Sequence, residues 1–184
     1  MAGREAGRIF TVVGPSGAGK DTLMAAARAA RPDLCLVRRV ITRPEAAGGE
    51  PFEGVSAAEF ARRKAAGGFA LDWQAHGLSY GIPASVRDDL AAGRTVLFNG
   101  SRRMLGDAVA VFPGLTVLHV TAAPEVLAER LAARGRESAA EIAGRLARGT
   151  DPFPAGLPVL EIRNDGALDT AVAAFLDALQ PVRA

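Results

Sequence analysis

A glycine-rich heptapeptide, Gly14-Pro15-Ser16-Gly17-Ala18-Gly19-Lys20, joins a β-branched and aromatic run, Arg8 to Val13, to an alanine-rich stretch, Asp21 to Ala30. No other part of the chain constrains the fold as strongly. The run RIFTVV has the composition of a buried strand, and the alanine-rich stretch has strong helix propensity, so the segment reads strand, loop, helix. The heptapeptide fits G-x-x-x-x-G-K in the context that makes that spacing mechanically sensible. Its glycines let the backbone curl so that successive amides converge on phosphate oxygens, and the helix beginning near Lys20 adds its positive dipole end. Lys20 reaches the outer phosphates as a point charge. It is one of two lysines, with Lys64, in a chain whose positive charge is otherwise arginine.

Further buried strands are expected at Leu34 to Ile41, Thr95 to Phe98, Leu115 to Thr121 and Val159 to Ile162, with helical patterns between most of them. Alternating strands and helices imply an α/β fold of three layers, a parallel sheet covered by helices on both faces. Two segments break the regularity and read as lobes of a single domain spanning 1–184. The first, about 42–93, holds the turn Gly48-Gly49, a strand-like stretch from Phe69 to Gln74, and the capping-box sequence Ser56-Ala57-Ala58-Glu59. The second, about 125–148, is an arginine-dense helical pair with another capping box at Ser138-Ala139-Ala140-Glu141.

The loop departs from its usual form after the lysine. Asp21 stands where Ser or Thr normally helps hold Mg²⁺, and Thr22 follows one step later. Two arrangements are open: Thr22 holds the ion through a water, or Asp21 lends a carboxylate to its outer shell. The strand Thr95 to Phe98 ends in Asn99, followed by Gly100-Ser101-Arg102, where many such enzymes carry a metal-holding aspartate. Asp21 is a candidate to supply the missing charge, although an aspartate at a helix start is also favoured by the dipole alone.

Composition narrows the classes. With 184 residues, 49% apolar and 23% charged, the chain is long enough for one real core. The apolar run Ile9 to Val13 is too short for a signal-peptide core or a membrane span, so a cytoplasmic protein without membrane partners is expected. Cys35 is the only cysteine and, between Leu34 and Leu36, reads as an ordinary buried thiol. A net charge of +2, with dispersed arginines and no aromatic stacking set, argues against nucleic acid and leaves anionic small molecules. Nothing in the sequence marks an oligomeric interface.

An N-K-x-D segment and a D-x-x-G switch are both missing, which argues against a GTPase. The order of GPSGAGK at 14–20, Thr42-Arg43-Pro44, Gly49-Glu50, Val55-Ser56 with Glu59-Phe60, Leu71-Asp72-Trp73 and Tyr80-Gly81 resembles the guanylate kinase family. Arg130-Leu131 with Arg134, Ile142 with Arg145-Leu146, and Asn164-Asp165 continue it, so the resemblance covers residues 8 to about 170. It implies the P-loop NTPase fold with an acceptor-binding lobe and a helical lid. Guanylate kinases carry Y-G-T and a glutamate in L-E-W to read guanine, whereas this chain has Ile82 and Asp72. Losing such contacts weakens base selection by orders of magnitude.

The chain is more similar to a relative of that family, the ribose 1,5-bisphosphate phosphokinases. The shared features are GKD in the loop, Ile41-Thr42-Arg43, Trp73 and His76-Gly77 before Tyr80-Gly81, Asn99-Gly100-Ser101-Arg102, and Arg134-Gly135-Arg136-Glu137. The resemblance implies ATP and Mg²⁺ as cofactors, with a sugar phosphate and a nucleotide as small-molecule partners. It implies nucleotide contacts from Gly14 to Lys20, Asp21, Thr22 and Asn164, and metal contacts from Thr22 or Asp21. Lys20, Arg134 and Arg145 are the implied catalytic cations, and Arg43, Glu50, Asp72, Tyr80, Asn99 and Arg102 the implied acceptor contacts. His76 lies by the acceptor lobe, and His119 reads as a structural residue of its strand. Other lobe arginines, such as Arg130 and Arg136, are as readily explained by pairing with Glu129, Glu137 and Glu141. A guanylate kinase with an altered base pocket is the alternative within the class, and a non-catalytic protein-binding module of the same fold the alternative outside it.

Overall fold

Along three of the expected strands, apolar residues alternate between two separate cores, which places those strands in the middle layer. The computed structural model describes residues 7–45, 50–133 and 152–180. The strands are β1 (Arg8–Val13), β2 (Cys35–Leu36), β3 (Arg39–Ile41), β4 (Phe52–Gly54), β5 (Phe69–Ala75), β6 (Leu78–Pro83), β7 (Thr95–Asn99), β8 (Leu115–Thr121) and β9 (Val159–Arg163). The helices are α1 (Lys20–Ala30), α2 (Ala57–Ala65), α3 (Val86–Ala91), α4 (Leu105–Val111), α5 (Pro124–Ala133) and α6 (Leu168–Ala178).

The main sheet runs β2-β7-β1-β8-β9, and all its pairings are parallel. Phe10, Val12, Leu97, Leu118 and Val120 face a core filled by Leu23, Met24 and Ala27 of α1 and by Ala171 and Phe175 of α6. Ile9, Val13, Val96, Phe98, Leu115 and Val117 face the other core, with Leu105 and Ala108 of α4. Helices therefore cover both faces, as the alternating pattern implies.

A second sheet, β4-β3-β6-β5, forms the smaller lobe. Leu71 and Trp73 of β5 and Ile82 of β6 pack into the second core, so this lobe is continuous with the main body. Its hairpin turns at His76 (φ 53°) and Gly77 (φ 73°), two successive positive-φ residues that suit the twist of a two-residue loop. His76 thus shapes an exposed turn.

Two local expectations need correction. The run Leu34 to Ile41 is two strands in different sheets: β2 pairs with β7, Val37 N still donates to Leu97 O, and the chain then crosses so that β3 pairs with β4 and β6. The consecutive Arg38 and Arg39 mark the crossing. At α2, Ser56 Oγ does accept from Glu59 N at 3.1 Å. The Glu59 carboxylate does not complete the box, because it binds Arg62 and Arg63 on its own helix instead. Cys35 is half-buried and donates to Asp89 Oδ2 at 3.1 Å, and burial pushes its thiol up to about 11. Of the 125–148 lobe, α5 is described. Arg134, Arg136, Arg145 and the Ser138–Glu141 capping box lie outside the described residues, as does Gly48-Gly49.

The core under α6 sets a stability test. Phe175→Ala, at a fully buried side chain, is expected to destabilise the protein by about 3–5 kcal/mol in urea titrations. Leu160→Ala, on the exposed edge strand β9, is expected to change stability by less than about 0.5 kcal/mol in the same titration.

Candidate active site

The carboxyl ends of parallel strands are where open α/β sheets bind ligands. β1 runs directly into the glycine-rich loop there, β7 ends in Asn99, and Asn164 follows β9. Three close approaches fix the loop. A Cβ on Gly14 (φ +156°) would lie 2.1 Å from the Val120 carbonyl oxygen, so β8 leaves no room for a side chain. A Cβ on Gly19 (φ +87°) would lie 2.5 Å from Asn164 Nδ2, and that amide, 4% exposed, donates to Ala18 O at 2.8 Å. Gly17 (φ +87°) faces Leu131 of α5, whose neighbour Arg130 donates Nη1 to Gly17 O at 3.4 Å. Only glycine adopts these backbone angles without strain.

Lys20 folds back over the loop it ends, donating Nζ to Gly14 O at 2.9 Å and Pro15 O at 3.0 Å. Pro15 and Ser16 are exposed at the tip. Asn164 braces the loop from beneath, its side-chain amide committed to Ala18. Asp165 is tied to Ala123 N and to Arg163, and those hydrogen bonds hold its carboxyl below its ordinary range. Asn164 thus ties the residue after β9 to the loop, and Asp165 ties it to the start of α5.

Beside the loop, one neutral amide gathers two carboxylates. Asn99 Nδ2 lies 3.1 Å from both Asp21 Oδ1 and Glu50 Oε2. An aspartate at this position would face both anions, whereas the amide donates to each. Thr22 is exposed in the same first turn of α1 as Asp21. The other oxygen of Glu50 accepts from Arg39 Nη2. The Arg39 guanidinium lies over the Tyr80 ring (5.1 Å) and the Trp73 ring (5.8 Å), which themselves stack at 5.3 Å and 8°. Burial pulls its pKa down to about 10, which leaves it cationic at neutral pH. Arg39 is absent from the set expected from the sequence; a charge inside the apolar run leading to Ile41-Thr42-Arg43 is the signal that marks it.

The remaining expected residues divide. Arg43 sits in the small lobe with its guanidinium 4.4 Å from the Phe52 ring centre. Arg102, just beyond β7, lies over Phe153 at 4.3 Å and donates Nη2 to His119 Nε2 at 2.8 Å. Burial and that cation lower the His119 pKa, and its Nε2 is engaged within the fold. Asp72 lies in β5. Its strand neighbours Leu71 and Trp73 face the core with Tyr80 and Ile82, so Asp72 faces the other way, where α2 packs and Lys64 Nζ binds its Oδ1 at 2.5 Å. Asp72 thus lies on the face of the small sheet opposite that of Trp73 and Tyr80. Arg134 and Arg145 lie outside the described residues.

No family model matches the chain. The chain is 50% identical over 184 aligned residues to the ribose 1,5-bisphosphate phosphokinase PhnN of Rhizobium etli, covering 97% of this chain and 93% of that protein. It is 48% identical over 175 residues to the bifunctional ribose 1,5-bisphosphokinase-thymidine phosphorylase of Cupriavidus necator, covering 95% of this chain. It spans 29% of that longer relative. Among solved structures, the guanylate kinase of Anaplasma phagocytophilum superposes with a TM-score of 0.69 at 17% identity, over 96% of this chain and 86% of that one, a likeness of fold. With half its residues shared along nearly the whole length of a stand-alone relative, the chain belongs to the ribose 1,5-bisphosphate phosphokinase family.

Proposed function

We propose that this chain transfers the γ-phosphoryl group of ATP to the 1-phosphate of ribose 1,5-bisphosphate, giving 5-phospho-α-D-ribosyl 1-diphosphate and ADP. The family relation supports the acceptor, and one structural observation favours it over GMP. At the two positions where guanylate kinases carry base-reading groups, Ile82 is fully buried in the core and Asp72 is turned to Lys64 on the α2 face. Neither offers a hydrogen bond to a base edge, and a site without such partners does not select a base.

The chemistry asks little of the protein beyond positioning and charge. A phosphate acceptor is already anionic at neutral pH, so no general base is needed. The loop amides and Lys20 hold the phosphates of ATP. The residues suited to Mg²⁺ are Asp21 and Thr22, oxygen donors in the turn that follows Lys20, with Asn99 orienting the Asp21 carboxylate. Bound Mg²⁺ offsets the charge of the phosphate oxygens during transfer. Arg43 and Tyr80 face the acceptor in this reading, and Arg134 and Arg145 close over the transferring group when the 42–93 and 125–148 segments draw together.

A coupled ADP-release assay with the two acceptors in parallel tests the reading. Turnover of ribose 1,5-bisphosphate without GMP turnover is expected, and the reverse overturns it. In the same assay Lys20→Ala is expected to lose about 100-fold or more in kcat, the scale on which removing one charge-stabilising donor acts. Gly14→Ala meets the Val120 carbonyl directly, so calorimetric titration is expected to show ATP binding lost, with GDP and ADP affected alike because the loop reads phosphates.

A further inference from the structure

Among the described residues, Arg39 is the one charged side chain that is buried, at 7% exposure, and its donors are not all used. A guanidinium presents five N–H groups in a fixed fork. Glu50 takes Nη2, while Nε is buried without a partner. Glu50 is itself shared, since its second oxygen binds Asn99. One carboxylate thus serves both an amide and a buried cation that retains an unmet donor. Such an arrangement is unfavourable unless another acceptor oxygen completes it.

The surroundings specify that acceptor. Arg39 lies over the near-parallel Trp73–Tyr80 pair, which confines the guanidinium on that side. Through Glu50, Asn99 and Asp21 it is connected to the helix turn that begins at Lys20. A planar cation with an unmet donor, linked through three side chains to the turn that follows the phosphate loop, matches a tetrahedral anion with adjacent oxygens. It does not suit a base, because the aromatic pair that would stack on one already carries the guanidinium.

We propose that Arg39 holds a phosphate group of the acceptor, using the guanidinium edge not committed to Glu50, with the Trp73–Tyr80 stack as its fixed backing. The proposal rests on the reading of the acceptor as a sugar bisphosphate. Arg39 then sets specificity as well as affinity, since it selects a phosphate where a nucleotide kinase presents groups to a base.

The test compares Arg39→Met, Arg39→Lys and Glu50→Gln in the whole chain. Ribose 1,5-bisphosphate and ATP are titrated separately by calorimetry, steady-state constants are measured in the ADP-release assay, and thermal melts confirm folding. Arg39→Met is expected to weaken binding of ribose 1,5-bisphosphate about 30-fold or more, as removal of a buried charged partner does, with ATP binding unchanged. Arg39→Lys, which keeps the charge and loses the fork, is expected to fall between Arg39→Met and the unsubstituted protein. Glu50→Gln breaks the same ion pair but leaves the guanidinium, so it is expected to lower the melting temperature while weakening the acceptor less than either arginine variant. Unchanged acceptor binding in Arg39→Met and Arg39→Lys, or an equal loss in Glu50→Gln, overturns the proposal in favour of a purely structural ion pair. If the unsubstituted protein binds ribose 1,5-bisphosphate without turning it over, the proposed activity fails while the role of Arg39 is still read from binding. Absence of binding overturns both.

Discussion

Gly14 lies so close to the Val120 carbonyl that an added Cβ would sit 2.1 Å from it, and the geometry of the phosphate loop follows from that contact. The two residues belong to the adjacent parallel region of β1 and β8, where Val13 pairs with His119. A side chain at position 14 would push the loop off the sheet. With none, the backbone turns at once, crosses Leu131 at Gly17, passes Asn164 at Gly19, and enters α1. Each approach uses a different element, β8, α5 or the residue after β9, so elements distant in sequence meet at one seven-residue loop. The amides need no side chain to form the cradle, but they need every neighbour in place. This is the preorganisation that lets backbone dipoles act on a phosphate without rearranging.

A second dependence runs between the sheets. Asn99 joins Asp21 of the main body to Glu50, and Glu50 joins Arg39 of the small sheet. Exposed pairs such as Arg62–Glu59 contribute about 0–1 kcal/mol each. Breaking a buried pair such as Arg39–Glu50 costs several times more, roughly 3–5 kcal/mol, because one charge is left uncompensated. The connection between the start of α1 and the small sheet is therefore made of groups that are unfavourable to separate. A neutral amide at its centre donates to both carboxylates, where an aspartate would repel them.

The legible parts of this molecule are those in which local chemistry and tertiary role coincide. The loop can be read because glycine spacing, a flanking β-branched run and an alanine-rich helix all express one requirement. β1, β7 and β8 are found within a residue of their expected bounds because strands buried on both faces are continuous apolar runs. The run Leu34 to Ile41 looks the same and is not, because a change of sheet in mid-run leaves no mark in hydropathy. Asp72 is a matter of register: alternation along β5 puts it on the face opposite Trp73, and a motif match carries no information about faces. The capping box at Ser56 is half made because Arg62 and Arg63 offer Glu59 stronger partners than an amide. Arg39 escapes notice because burial, which gives it meaning, is a tertiary property. The ion pair, the aromatic backing and the unmet Nε appear only when β3, β5, β6 and residue 50 are brought together.

A fold of this kind can keep its architecture while its acceptor site takes a different ligand. Guanylate kinases and this chain share their architecture at 17% identity, so the scaffold does not dictate the acceptor. Reading a base edge takes several neutral donors and acceptors in a plane, each of which must find a partner. Reading a phosphate takes cations with oriented N–H groups. In the proposed reading, Ile82 leaves no base contact on the core-facing side, and Arg39 occupies the surface of the Trp73–Tyr80 pair on which a base would stack. The substitutions are compatible with the fold because Ile82 joins the apolar core and Arg39 brings its own counter-ion in Glu50. Specificity of this kind depends on which charge is buried and what holds it there, rather than on the shape of the lobe.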